Sequence, residues 1–252
     1  MRGAMKSEPG AAAATGRVRV LRDAGPAAQA LSLATTVAAA LARAIAARGA
    51  ASLVVSGGRT PAAMFRLLAA QPIDWSRVQI TLADERWVGF DHPASNERLV
   101  RAELMQGPAA AARLIGMKND AETPQAGARQ AWQMIVAMPR PFDMVLLGLG
   151  DDGHTASLFP GSAELAAGLD ETAAPACLGV HPVTAPLSRL SLNLAALLES
   201  RHICLQIVGD QKWQVYEQAC GAGEVAAMPV RAILRQQRVP VDVYWCPEGS
   251  GA

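Results

Sequence analysis

The sequence predicts an α/β fold, a mostly parallel sheet with helices on both faces in a modified Rossmann-like arrangement. Two observations carry this. Short apolar runs of strand character alternate along the chain with segments of helical spacing, the pattern of parallel strands joined through covering helices. One of those runs, residues 142–147, ends abruptly in Gly148-Leu149-Gly150-Asp151-Asp152-Gly153-His154. Glycines and titratable groups at a strand's carboxyl end mark the ligand site of such a sheet.

The elements follow in order. Alanines, leucines and Ile45 recur at helical spacing over residues 26–48, and Gly49 closes the helix. Residues 51–55 are a buried strand; after the turn 56–61, Thr60 is placed to cap and Pro61 to open a helix through Ala70. Residues 77–82 are a strand that delivers Asp84-Glu85-Arg86-Trp87 at its end. Helices are expected over 95–105 and from Thr123-Pro124 to about Met138, then the strand 142–147 and a short helix 162–167. Strands at 177–180, 190–193 and 202–208 precede a helix over 211–219 capped by Asp210, a short helix over 229–235 and a last strand over 241–246. No internal repeat or long linker interrupts the series, so residues 17–252 read as one domain behind a tail, residues 1–16.

Composition narrows the function. With 252 residues, 51% apolar and 18% charged, the chain can bury a core and is too lightly charged to be disordered. Lys+Arg 23 against Asp+Glu 22 gives a net charge of +1, so there is no global basic field to hold nucleic acid, whereas local positive clusters suit a small anion. Cys177, Cys204, Cys220 and Cys246 are far apart and form no CxxC pair, which argues for reduced thiols in a cytosolic protein. No segment approaches the roughly 20 uninterrupted apolar residues of a membrane span, and residues 1–16 lack the apolar core of a secretory signal. A soluble, cytoplasmic protein without membrane, nucleic acid or obligate protein partner is expected.

The glycine turn admits several readings. GLGDDG over residues 148–153 matches a dinucleotide fingerprint, with Asp170 near the offset of the ribose acid. That acid should end a second strand, yet residues 162–171 are alanine-rich and helix-like, and two carboxylates would repel a pyrophosphate. No cofactor is expected. Asp151, Asp152 and His154 are metal-ligand types, but three groups in one tight loop rarely converge on one ion, so no metal is expected either. An isolated histidine here would be a turn residue bonded to its own loop. Flanking glycines and acids favour a proton carrier whose tautomer a carboxylate holds.

Ser56-Gly57-Gly58-Arg59-Thr60-Pro61 exposes successive backbone N–H groups ahead of a helix N-terminus, which suits phosphate; alone, a structural turn explains it equally well. Asp84, Glu85 and Arg86 stand at a strand end, Arg189 before a strand, and Lys212 in a helix's first turn, where a cation is disfavoured by the helix dipole unless an anion binds. Taken singly, each is a surface charge. His92, His181 and His202 have no comparable context and are read as structural.

Together, SGGRTP from Ser56, ADERWV from Ala83, SNERLV from Ser95, GLGDDGHTASLFPG from Gly148, SRLSLN from Ser188 and GDQK from Gly209 resemble the 6-phosphogluconolactonase family, within the superfamily that includes glucosamine-6-phosphate deaminase. The resemblance runs from about residue 18 to Pro247. Deaminases resemble DGHxAFNEP after the histidine; here Phe159 stands in place of their acid–base glutamate, and Arg86 where they tend to have tyrosine. Both departures favour the lactonase over a sugar-phosphate deaminase or isomerase. The resemblance implies hydrolysis of 6-phospho-D-glucono-1,5-lactone to 6-phosphogluconate in the oxidative pentose phosphate pathway. It implies His154 as general base, Asp152 as its orienting acid, and Arg86 facing either the phosphate or the developing oxyanion. Gly57, Gly58, Arg59, Thr60, Asp84, Arg189 and Lys212 would hold the sugar phosphate.

Overall fold

The computed structural model describes residues 18–249, so the tail expected over residues 1–16 lies outside the described residues. In chain order the elements are β1 (Val18–Arg22), α1 (Pro26–Arg48), β2 (Ala51–Val55), α2 (Ala62–Ala69), β3 (Val78–Leu82), β4 (Asp84–Arg86), α3 (Asn96–Glu103), β5 (Arg113–Ile115) and α4 (Pro124–Ile135). They continue with β6 (Met144–Gly148), α5 (Leu165–Leu169), β7 (Cys177–Val180), β8 (Arg189–Leu192), α6 (Leu194–Leu198), β9 (Ile203–Val208), α7 (Asp210–Cys220), α8 (Val230–Arg235) and β10 (Val241–Cys246).

Seven strands form one sheet in the order β1-β10-β9-β6-β2-β3-β5, every neighbouring pair parallel. The expected parallel α/β fold is borne out. From β2 the chain steps outward through β3 to β5, returns to β6, and steps outward the other way to β9 and β10. The reversal falls between β2 and β6, whose registers pair Val55 with Leu146. A crevice opens outside the carboxyl ends of strands at such a switch point.

Burial explains the strand sequences. β2 is buried at all five positions, so it carries a continuous apolar run rather than an alternating one. α1 lays Leu33, Val37 and Leu41, each fully buried, on the sheet; each leucine contributes about 1.5–3 kcal/mol. α1 is long and apolar enough (mean hydropathy 1.6) to cross a membrane by length and composition alone, though Gln29, Thr35, Thr36 and Arg43 interrupt its apolar run. It instead packs eight of its residues into the interior.

Several boundaries differ from expectation. Ser95 and Thr123 cap α3 and α4, accepting from Arg98 N at 3.1 Å and Ala126 N at 3.2 Å. Thr60 caps nothing: α2 starts at Ala62 after Pro61, with no side-chain cap bond. Asp210 is the first helical residue of α7, and Gly209, at φ 91°, occupies the cap. The short helix expected over 162–167 begins at Leu165, because Ser162 Oγ donates to Phe159 O at 3.0 Å and closes a turn first. A second, three-stranded antiparallel sheet, β4-β8-β7, was not expected, nor were β1 and β5. All four cysteines are unpaired, as expected.

Candidate active site

The loops leaving β2 and β6 form the walls of a cleft at the switch point. One lobe, a cavity of about 290 Å3, is lined by Gly57, Gly58 and Thr60 on one side and Gly148, Gly150 and His154 on the other, with Lys212 and Gln206 also reaching it. A second lobe of about 390 Å3 is lined by Asp152, Phe159, Thr184 and Arg189. Asp84, Arg86, His154 and Ala156 line both. His154 therefore stands at the junction.

The glycine loop is shaped around that ring. Gly150 N donates to His154 O at 2.8 Å, and Thr155 Oγ1 donates to Gly148 O at 2.9 Å, so the loop folds back on the end of β6. A Cβ on Gly150 would lie 2.0 Å from His154 Nδ1, far inside contact distance. Gly150→Ala should therefore push the imidazole out of place and lower kcat by at least 10-fold, on the order of what misplacement by an ångström costs, with an unchanged far-ultraviolet circular dichroism spectrum. A variant with wild-type kcat would show that the ring position does not matter.

Asp152 and His154 form a dyad. Asp152 Oδ1 accepts from His154 Nδ1 at 2.5 Å and from His154 N at 3.0 Å. With the proton on Nδ1 committed to the carboxylate, Nε2 carries the free lone pair. Burial pushes the Asp152 carboxyl up, but the ring and backbone N–H groups of His154 and its charge outweigh this and hold it at about 2. Phe159 stacks on the imidazole, ring centroids 4.0 Å apart at 29°. Phe159 thus sets an apolar wall, which carries no proton, against the ring.

The depressed Asp152 value has a stability consequence. Its contribution is fully present above the ordinary carboxyl value of 3.8 and is lost as pH falls through about 2. The difference in urea midpoint between wild type and Asp152→Asn should be constant from pH ~7 to ~5 and narrow below pH ~4. A difference that widened on acidification would rule out the dyad.

The cations come from two elements that sequence reading kept apart. β4 and β8 pair antiparallel with Arg86 opposite Arg189, a juxtaposition of like charges that destabilises a sheet. Arg189 is only 8% exposed; its Nε and Nη1, and Arg86 Nε, are buried without hydrogen-bond partners. Burial, followed by the neighbouring Arg86, lowers the Arg189 pKa against the pull of Asp84 and Glu85. The adjacent carboxylates are already engaged: Asp84 Oδ2 accepts from Ser157 Oγ at 2.6 Å, and Glu85 accepts from the backbone of Arg86, Asn96 and Glu97 and from Ser95 Oγ. Each unsatisfied buried donor costs about 1–3 kcal/mol. An anion in the cleft would supply what these donors lack.

Of the residues expected at the site, Gly57, Gly58, Thr60, Asp84, Arg86, Asp152, His154, Arg189 and Lys212 are brought together around the two lobes. Arg59 is not: it is exposed and lines neither lobe, because the turn directs it outward. Lys212 Nζ is paired with Asp151 at 2.8 Å, so an anion must compete with that carboxylate. Sequence reading missed Asn96, Gln206 and Ser157. Asn96 packs over Gly57, where a Cβ would lie 1.8 Å from its Oδ1, and its Nδ2 donates to Asp84 O at 2.9 Å. Gln206 Nε2 donates to Gln29 Oε1 at 3.0 Å, while Gln29 Nε2 donates to two backbone carbonyls, so the Gln206 amide is pinned. A glutamine inside the apolar strand β9 was the available signal.

A Rossmann-like α/β protein with an acid–base dyad set among unmatched cations is the class that fold and cleft define. More particularly, the chain belongs to the family described as Glucosamine-6-phosphate isomerases/6-phosphogluconolactonase, whose profile matches residues 24–245. It is 43% identical to a 6-phosphogluconolactonase of Pseudomonas putida over 218 residues, covering 86% of this chain and 88% of the relative. It is 43% identical to one from Rhizobium meliloti over 222 residues, covering 88% and 96%. The crystal structure of a 6-phosphogluconolactonase from Shewanella baltica superposes with a TM-score of 0.89 at 49% identity, covering 92% of this chain and 98% of that one.

Proposed function

We propose that this enzyme hydrolyses 6-phospho-D-glucono-1,5-lactone to 6-phosphogluconate, the lactone-opening step of the oxidative pentose phosphate pathway, with His154 as general base. The observation that carries the reading is the dyad: a ring nitrogen left free by Asp152, at the junction of two lobes that hold unmatched cations. Relatives named 6-phosphogluconolactonase support the substrate.

A δ-lactone is an activated ester, so a positioned water and a base suffice. His154 Nε2 takes a proton as the water oxygen bonds to the carbonyl carbon. When the bond from that carbon to the ring oxygen breaks, Nε2 returns the proton to the departing oxygen. Asp152 stabilises the imidazolium between the two steps. Arg86 and Arg189 offer donors to the phosphate or to the oxyanion, and Lys212 with the 56–60 loop offers a second anion contact. Phe159 disfavours the alternative, a deaminase of the glucosamine-6-phosphate type, because a phenyl ring carries no proton. The test generates the lactone in place with glucose-6-phosphate dehydrogenase and follows its decay. Decay faster with the protein than without it is expected; equal rates, or release of ammonia from glucosamine 6-phosphate instead, overturn the reading.

A further inference from the structure

On the rim opposite the cleft, where β6, β9, β10 and β1 begin, a hollow of about 450 Å3 lies between the sheet and α1. The two sites are at opposite ends of β6, roughly 16 Å apart along a five-residue strand. On the helix side the hollow is lined by Thr36, Ala40, Arg43, Ala44, Ala47 and Arg48, one face of α1 at three- and four-residue spacing. Three of these are alanines, too short to fill the space.

The sheet side contributes two buried carboxylates, Asp143 (5% exposed) and Asp242 (3%), and both are already matched. Asp242 accepts from Arg19 Nε and Nη2 at 2.9 and 2.6 Å. Asp143 accepts from Arg48 and from Ser52 N at 2.9 Å. Two further arginines remain. Arg201 approaches Asp143 only as a second cation, at 3.4 Å, and Arg43 joins none of the ion pairs among the described residues. His202 Nε2 stands 3.0 Å from Asp242 but out of line for a hydrogen bond, and is buried without a partner. Four guanidinium groups against two carboxylates leave a surplus of two positive charges around an open hollow.

We propose that this hollow is a second anion site, which binds a small dianionic oxyanion (a phosphate monoester or a dicarboxylate) through Arg43 and Arg201. Guanidinium forks match both chemistries in bidentate fashion, the volume falls in the range of small-ligand sites, and the surplus equals the ligand's charge. The inference does not depend on the lactonase reading.

The experiment titrates the full chain with inorganic phosphate and, separately, with succinate, following the arginine Nε–H resonances by NMR. The Arg43 and Arg201 signals should shift saturably; a response to phosphate alone assigns a phosphate ester, to succinate alone a dicarboxylate. Arg43→Glu removes the surplus charge and should weaken the Arg201 response by about 10-fold or more, with turnover within twofold. Because Arg43 makes no ion pair here, that variant keeps the buried pairs intact, and Arg201→Gln serves as the second check on the Arg43 signal. Shifts confined to Arg86 and Arg189, or an Arg201 response equal in wild type and Arg43→Glu, overturn the proposal.

Discussion

His154→Ala should lower kcat for the lactone by ~10²–10⁴-fold, the usual worth of a positioned acid–base group, while 6-phosphogluconate binding changes by less than about threefold. The separation follows from the geometry. Nδ1 is committed to Asp152 at 2.5 Å, so in the proposed mechanism the ring contributes its other nitrogen, which would act on a proton in flight rather than on a bound product. The ring also rests on Phe159, so alanine leaves a space that water fills without disturbing the cations. The residual activity reports what binding and orientation alone provide. An alanine variant with wild-type kcat removes His154 from the reaction; one that loses product binding in proportion makes it a binding group.

Arg189→Met should raise KM by roughly 30-fold or more, the loss expected when one partner of a buried charged hydrogen-bonded contact is cut away, and should simultaneously stabilise the free protein by about 1 kcal/mol. The opposite signs come from one arrangement. Without ligand, Arg189 is buried beside Arg86 with two donor nitrogens unsatisfied, a cost that methionine, of similar length and without charge, does not incur. In the proposed complex those donors would meet the phosphate or the oxyanion. Steady-state kinetics and the urea midpoint measured on the same preparation test both halves. A variant with unchanged KM would place Arg189 outside the substrate's reach, and one that is less stable would mean that the arginine pair is not strained.

The dyad was legible because Asp152 and His154 lie two residues apart in one loop, where local geometry alone brings a carboxylate to a ring nitrogen. The 56–60 loop was legible only beside the other motifs, since a glycine turn between a strand and a helix is as often purely structural. Arg59 shows the limit of that argument: composition nominates every residue of a turn, but the turn's path decides which side chains face inward, and this one faces solvent. Asn96 was hidden because its importance is a contact with Gly57, thirty-nine positions away in the chain.

Local chemistry determined the alternation of strands and helices, the caps at Ser95 and Thr123, and the Asp152–His154 turn, since each depends on residues within one or two turns of one another. Tertiary structure alone decided which strands meet. The reversal between β2 and β6 places two glycine loops face to face, and the register of β4 against β8 presses Arg86 and Arg189 together. Like charges do not pair from local preference. They are held in that position by the burial of the strands that carry them, and the free energy of that burial is a property of the whole core.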